Sequence, residues 1–148
     1  MANTFRCRLI TPEAQVLDGP ATAAVVPIWD GQMGFLPGRA PIVAKLGLGE
    51  MRLDFPDTEE ERGGSRQFVV DGGFAHMVNN TLTILASKAI PTETIIESEA
   101  QAELAEAEAR KTDAVTDAAQ RAAIQHDRER AQVKLRAARS FRAKGGGI

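Results

Sequence analysis

No glycine or proline occurs between Thr92 and Lys144, whereas both recur at short intervals up to Pro91. Frequent breakers forbid long helices in the first stretch, and their absence removes the usual stops from the second. Ala, Glu, Arg and Gln dominate the second stretch, and all are strong helix formers. The step Ile90-Pro91 therefore divides the sequence into residues 1–89, which read as strands, and residues 90–148, which read as helices.

In the first part Phe5, Cys7 and Leu9 alternate with Arg6 and Arg8, a period of two that buries one face of a strand. Val16-Leu17 reads as a brief second strand stopped by Asp18-Gly19-Pro20. The apolar run Ala21 to Ile28 suits a position between two layers, and Asp30-Gly31 turns the chain. Met51, Leu53 and Phe55 alternate with Arg52 and Asp54, and Ser65 to Val70 leads to a turn at Asp71-Gly72-Gly73. Phe74 to Val78 and Thr81 to Ala86 flank Asn79-Asn80, and asparagine tolerates the positive φ of a tight hairpin turn. Many short strands at this spacing predict a β-sandwich or flattened barrel.

In the second part Thr94-Ile95-Ile96-Glu97 has the form of a capping box. Further helix starts stand at Thr112-Asp113 and Thr116-Asp117. The expectation is two helices, Ile95 to Lys111 and Asp117 to Ala143, ended by Gly145-Gly146-Gly147 and a loose tail. Ile96, Ala100, Leu104 and Ala107 would form one apolar stripe, and Ile124, Ala131, Leu135 and Ala138 the other. Alanine lets two helices approach closely but buries little area, so the seam is thin. Glu93, Glu97, Glu99 and Glu103 start the first helix, and Arg136, Arg139, Arg142 and Lys144 end the second. Both placements suit the helix dipoles, and an antiparallel hairpin brings the two ends together. The predicted class is thus α+β: an all-β sandwich followed by an antiparallel two-helix hairpin.

Several functions lose support at this stage. A net charge of −2 gives no basis for nucleic-acid binding. A single cysteine, Cys7, permits no intrachain disulfide and fits a reducing compartment. His76 and His126 are joined to Cys7 by no metal-binding spacing, and no nucleophile motif or phosphate loop appears. The longest apolar run is too short to span a bilayer, so direct insertion is not expected. No signal or transit pattern opens the sequence, which suggests a protein made where it works. No catalytic, cofactor or metal residues are expected.

The segment Gly31-Gln32-Met33-Gly34-Phe35-Leu36-Pro37-Gly38-Arg39-Ala40-Pro41 resembles the Gly-Glu-Leu-Gly-Ile-Leu-Pro-Gly-His-Ala-Pro segment of the epsilon subunit of bacterial F-type ATP synthases. A second resemblance is Asp71-Gly72-Gly73-Phe74 followed by Asn80-Thr81-Leu82-Thr83-Ile84-Leu85-Ala86, similar to the end of that family's sandwich. The resemblance implies a non-catalytic rotor subunit of the central stalk, peripheral on the cytoplasmic face of the bacterial inner membrane. It implies that the sandwich contacts the gamma subunit and the c-ring through Gln32, Met33, Gly34, Pro37, Gly38 and Arg39. It further implies that the hairpin restrains ATP hydrolysis by extending toward the alpha and beta subunits, where Arg128, Arg130, Lys134, Arg136 and Arg139 would meet acidic partners.

The sequence also departs from the family. Gln32 replaces the usual Glu and Arg39 the usual His, so polar pairing with the c-ring should differ. The acidic loop Asp57 to Gly64 is long. Some relatives carry an ATP signature, Ile/Leu-Asp-x-x-Arg-Ala, that would fall on Ile95 to Ala100. Ile96 replaces its acid and Glu99 its arginine, which counts against the alternative reading of an ATP-responsive sensor.

Overall fold

The computed structural model describes residues 3–60, 62–110 and 117–143. The chain divides into two units, Met1–Pro91 and Thr92–Ile148. The first holds ten strands in chain order: β1 (Phe5–Ile10), β2 (Gln15–Ala21), β3 (Ala23–Ile28), β4 (Gly31–Phe35), β5 (Ile42–Lys45), β6 (Leu48–Phe55), β7 (Gly64–Asp71), β8 (Gly73–Val78), β9 (Thr81–Ala86) and β10 (Ala89–Pro91). They form two five-stranded sheets, ordered β2-β1-β9-β8-β5 and β10-β7-β6-β3-β4.

The period-two pattern explains the layering. Phe5, Cys7, Leu9, Met77, Leu82 and Ile84 come from the first sheet, and Val26, Phe35, Met51, Leu53, Phe68 and Val70 from the second; all are buried in one core. All neighbouring strands run antiparallel except β1 and β9, which pair in parallel from Arg6–Thr81 to Ile10–Leu85. The parallel pair joins the two ends of the sandwich sequence, so closing the sheet requires nearly the whole unit to be in place. Asn79 and Asn80 have φ of 50° and 57°, the left-handed pair that the β8–β9 hairpin turn needs.

Two expectations about the strands are corrected. Asp18-Gly19-Pro20 is not a stop but the body of β2, paired with Arg8, Cys7 and Arg6. The strand lies at a sheet edge, where a residue without an amide hydrogen is tolerated. The chain then bends at Thr22, whose amide donates to the Asp54 carbonyl at 2.8 Å, and so passes from one sheet to the other. Second, the turn after β3 is made by Trp29 and Asp30, and Gly31 already opens β4, opposite Ile28. Three strands lie outside the expected set: β4, whose Gly31 and Gly34 read as turn formers, and β5 and β10, which at four and three residues are too short to show a period.

In the second unit a single 3-10 turn at Thr92–Thr94 precedes α1 (Glu97–Ala109), and α2 spans Ala118–Ala143. The expected capping box does not form. Thr94 belongs to the 3-10 turn, the N-cap position falls on Ile96, and no side chain caps the helix there. Asp117 does cap α2, its Oδ1 accepting the Ala119 amide at 2.8 Å. The starts suggested at Thr112-Asp113 and Thr116, and the Gly145-Gly146-Gly147 tail, lie outside the described residues.

The helices are antiparallel. Glu97 at the start of α1 binds Arg139 and Arg142 near the end of α2, and Arg110 after α1 binds Asp127 near its start. Ala100 and Ala107 of α1 and Ala131, Leu135 and Ala138 of α2 are buried as the stripes predict. Ile96 is 54% exposed, so the first stripe is shorter than expected. Val133 and Ala137, on the opposite side of α2 from Ala131 and Leu135, are also buried.

Candidate functional site

Strand β4 places the motif residues by alternation. Gln32 and Gly34 are exposed, Met33 packs partly against the core, and Phe35 is fully buried. The six motif residues are therefore not one cluster. From Gln32 to Leu36 the strand rises about 13 Å, which sets Gln32 at one end and Pro37–Arg39 at the other.

The Pro37–Arg39 end is internally satisfied. The Arg39 amide donates to the Leu36 carbonyl at 3.3 Å, closing a turn in which Gly38 has φ 80°. The Arg39 guanidinium folds back, donating to the Gly34 carbonyl at 3.0 Å and lying 5.2 Å from the centre of the Phe35 ring. The Gly38 amide donates to Asn80 Oδ1 at 2.9 Å, while Asn80 Nδ2 donates to the Thr4 carbonyl at 2.9 Å. Asn80 thus ties the turn to β1 and to the β8–β9 hairpin. A groove of about 540 Å3 runs beside this turn, lined among others by Ala23, Val25, Gly34, Leu36, Arg39 and Arg52.

On α2 the basic residues divide by use. Arg128 donates through Nε to the Ala107 carbonyl at 2.9 Å and through its terminal nitrogen to the Arg110 carbonyl, covering the free carbonyls at the end of α1. Lys134 binds Glu103 at 2.8 Å, Arg130 binds Asp127 at 2.8 Å, and Arg139 binds Glu97 at 3.1 Å. Arg136 is exposed and makes no hydrogen bond or ion pair among the described residues; it rims a small groove with Gln132 and Ser140. The arginines at 139 and 142 hold the Glu97 carboxyl below its ordinary range, and Arg110 does the same for Asp127.

Residues 4–92 match the family model described as ATP synthase, Delta/Epsilon chain, beta-sandwich domain. The chain belongs to the ATP synthase epsilon family. It is 39% identical over 131 residues to the ATP synthase epsilon chain of Symbiobacterium thermophilum, covering 88% of this chain and 89% of that one. It is 36% identical over 104 residues to the epsilon chain of Rhodopirellula baltica, covering 70% and 77%. Among solved structures, a chain in the cryo-EM structure of the Euglena gracilis mitochondrial ATP synthase (OSCP/F1/c-ring, rotational state 1) superposes with a TM-score of 0.67 at 24% identity, covering 96% of this chain and 81% of that one. A chain of the Tetrahymena thermophila mitochondrial ATP synthase central stalk and c-ring superposes with a TM-score of 0.61 at 14% identity, covering 90% and 95%. These two likenesses are of fold.

Against that epsilon family, the remaining candidates are quiet. Cys7 is fully buried in the sandwich, and burial pushes its thiol up to about 12. His76 lies on β8 and His126 on α2, in different units. Among the described residues no three His, Cys, Asp or Glu side chains gather as a metal site requires, and no helix is long and apolar enough to cross a membrane. At the position of the ATP signature Ile96 and Glu99 are exposed, and Ala100 is buried in the helix seam.

Proposed function

We propose that this chain is a non-catalytic rotor subunit, peripheral on the cytoplasmic face of the bacterial inner membrane, that couples the c-ring to the catalytic head in proton-driven ATP synthesis. The sandwich, residues 1–89, is the coupling part: the Gln32 end of β4 meets the c-ring and the Pro37–Arg39 end meets the gamma subunit. The hairpin, residues 90–148, restrains ATP hydrolysis by contact with the alpha and beta subunits. The observation that carries the first part is the division of the motif along β4, which offers two separated ends of different character on one stiff strand. The Euglena structure, which includes F1 and the c-ring, and the Tetrahymena structure of the central stalk and c-ring supply the setting.

For the hairpin, the supporting observation is its balance of forces. A seam of alanines with one leucine contributes little, and exposed ion pairs of the Glu97–Arg139 kind are each worth only about 0.2–1 kcal/mol. A hairpin held this way can exchange intramolecular partners for acidic ones on another subunit at small cost.

The test is depletion and restoration. ATP synthase from the source organism, stripped of this chain, should lose ATP-driven proton pumping and gain ATP hydrolysis. Adding back the intact chain should restore both properties. Adding back residues 1–91 should restore pumping alone. Unchanged pumping in the stripped complex would contradict the coupling role, and unchanged hydrolysis would contradict the restraint.

A further inference from the structure

Of the buried residues in the stripes of α1 and α2, Leu135 alone is large; Ala100, Ala107, Ala131 and Ala138 are the others. Such small side chains supply no knob that fits only one hole, so burial chooses poorly between registers one turn apart. The choice falls to the ion pairs. Glu97 binds Arg139 and Arg142 at 3.1 Å, Glu103 binds Lys134 at 2.8 Å, and Arg110 binds Asp127 at 2.8 Å. These three rungs follow one another along the antiparallel pair, and their sense reverses. The α1 side supplies the acid in the first two and the base in the third.

A slip of one turn moves α2 by three or four residues. In one direction Glu97 would meet Arg136 and Arg139, and Glu103 would meet Arg130, so both acidic rungs would form again. Arg110 would lose Asp127 and face Ala123 or Ile124. In the other direction Glu97 would keep Arg142, while Arg110 would face Arg130. The first rung thus survives a slip either way, and the third penalises both. Arg128 acts at the same end, because its bonds to the Ala107 and Arg110 carbonyls belong to the observed register. Past this rung burial adds little, since Ala118–His126 are exposed apart from half-buried Ile124.

We propose that the reversed pair Arg110–Asp127 is a register lock for the hairpin, and that it keeps Arg136 available to a partner subunit. In the observed register Arg136 makes no hydrogen bond or ion pair among the described residues, whereas a slip would spend it on Glu97. Fixing a register at little gain in stability is the best-attested use of polar pairs between helices. The consequence for Arg136 rests on the reading of the hairpin as a restraint on hydrolysis; the lock does not.

The full-length chain is labelled with nitroxides through Glu99→Cys and Gln120→Cys, two exposed positions outside the ladder, while the fully buried Cys7 stays unlabelled. Dipolar distance measurement reads the register directly, since a slip of one turn toward Arg136 shortens the separation by about 5 Å. The labelled parent should give one distance. Asp127→Arg should add a population shorter by about 5 Å. The slipped fraction should rise about tenfold, as loss of one pair plus a like-charge contact allows. Arg110→Asp combined with Asp127→Arg should restore the single distance. Glu103→Gln, which weakens a rung that forms in both registers, should leave it unchanged. One unchanged distance in Asp127→Arg, with helix content intact by circular dichroism, would overturn the lock, as would two distances in the parent. If Asp127→Arg lowers helix content, Asp127→Asn takes its place and is judged by the same two outcomes. In the assembled complex Asp127→Arg should raise ATP hydrolysis by at most about fivefold, and the exchanged pair should reverse the rise. A shifted distance with unchanged hydrolysis refutes the consequence for Arg136 and leaves the lock standing.

Discussion

Asn80 Oδ1 accepts the Gly38 amide at 2.9 Å, so a hairpin-turn residue of one sheet fixes the loop that leaves the edge of the other. Asn80 meets two demands at once, since its φ of 57° also requires a residue that tolerates the left-handed region. Asn80→Ala should lower stability by about 2 kcal/mol, from lost hydrogen bonds and backbone strain together. Asn80→Gly should lose only about 1 kcal/mol, because it keeps the backbone conformation. Urea unfolding of both variants measures the difference.

The glycines of the sandwich separate fold from contact. A Cβ on Gly73 would stand 2.0 Å from the Leu85 carbonyl oxygen at a φ of 115°, so Gly73→Ala should cost about 3 kcal/mol or more. Gly34 has an ordinary φ and nothing within 4 Å of a Cβ. Gly34→Ala should unfold within about 0.5 kcal/mol of the parent. Any loss of partner binding by Gly34→Ala then reports on the surface of β4, and denaturant curves beside a binding assay decide it.

The sandwich and the hairpin are legible in the sequence because burial dictates them. A side chain on the wrong face of β1 or β9 would expose Leu9 or Ile84, so the alternation is kept and can be read. The Asn79-Asn80 turn is readable for the same reason, since few residues fit it. What the sequence conceals is where polar side chains are spent. Glu97 has the spacing of a capping residue, yet two arginines more than forty positions away outcompete the local bond. Asn80 reads as a turn former, and nothing local signals that it also holds Gly38. The motif of residues 31–41 reads as one contact loop because Gly and Pro suggest a turn, while pairing with β3 draws its first half into a strand.

Acid should loosen the hairpin before the sandwich. Pairing with Arg139 and Arg142 depresses Glu97, and pairing with Arg110 depresses Asp127, so each favours the folded hairpin fully above the unfolded carboxylate range, about pH 4–4.5. That stability is lost as the pH falls through the depressed values. Amide exchange measured at stepped pH should show α1 and the start of α2 losing protection below about pH 4 while β8 and β9 keep theirs. Protection lost from both units together would contradict it.

Arg136 and Arg128 separate two uses of the basic face. Arg128→Ala uncovers the Ala107 and Arg110 carbonyls and should destabilise the hairpin by about 1–2 kcal/mol. Arg136→Ala removes no bond among the described residues and should leave the hairpin's stability unchanged. In the assembled complex Arg136→Ala should nevertheless raise ATP hydrolysis, by at most about fivefold for one exposed pair. Steady-state hydrolysis at low salt and helix melting of the isolated chain check the two effects.

Co-purification with the gamma subunit tests the central claim most directly. The tagged, full-length chain is expressed together with the gamma subunit of its own organism and recovered under native conditions. The account predicts an equimolar complex that persists through size exclusion, is weakened by Asn80→Ala, and is unaffected by Arg136→Ala. Recovery of the folded chain alone, with gamma left entirely in the unbound fraction, would contradict it.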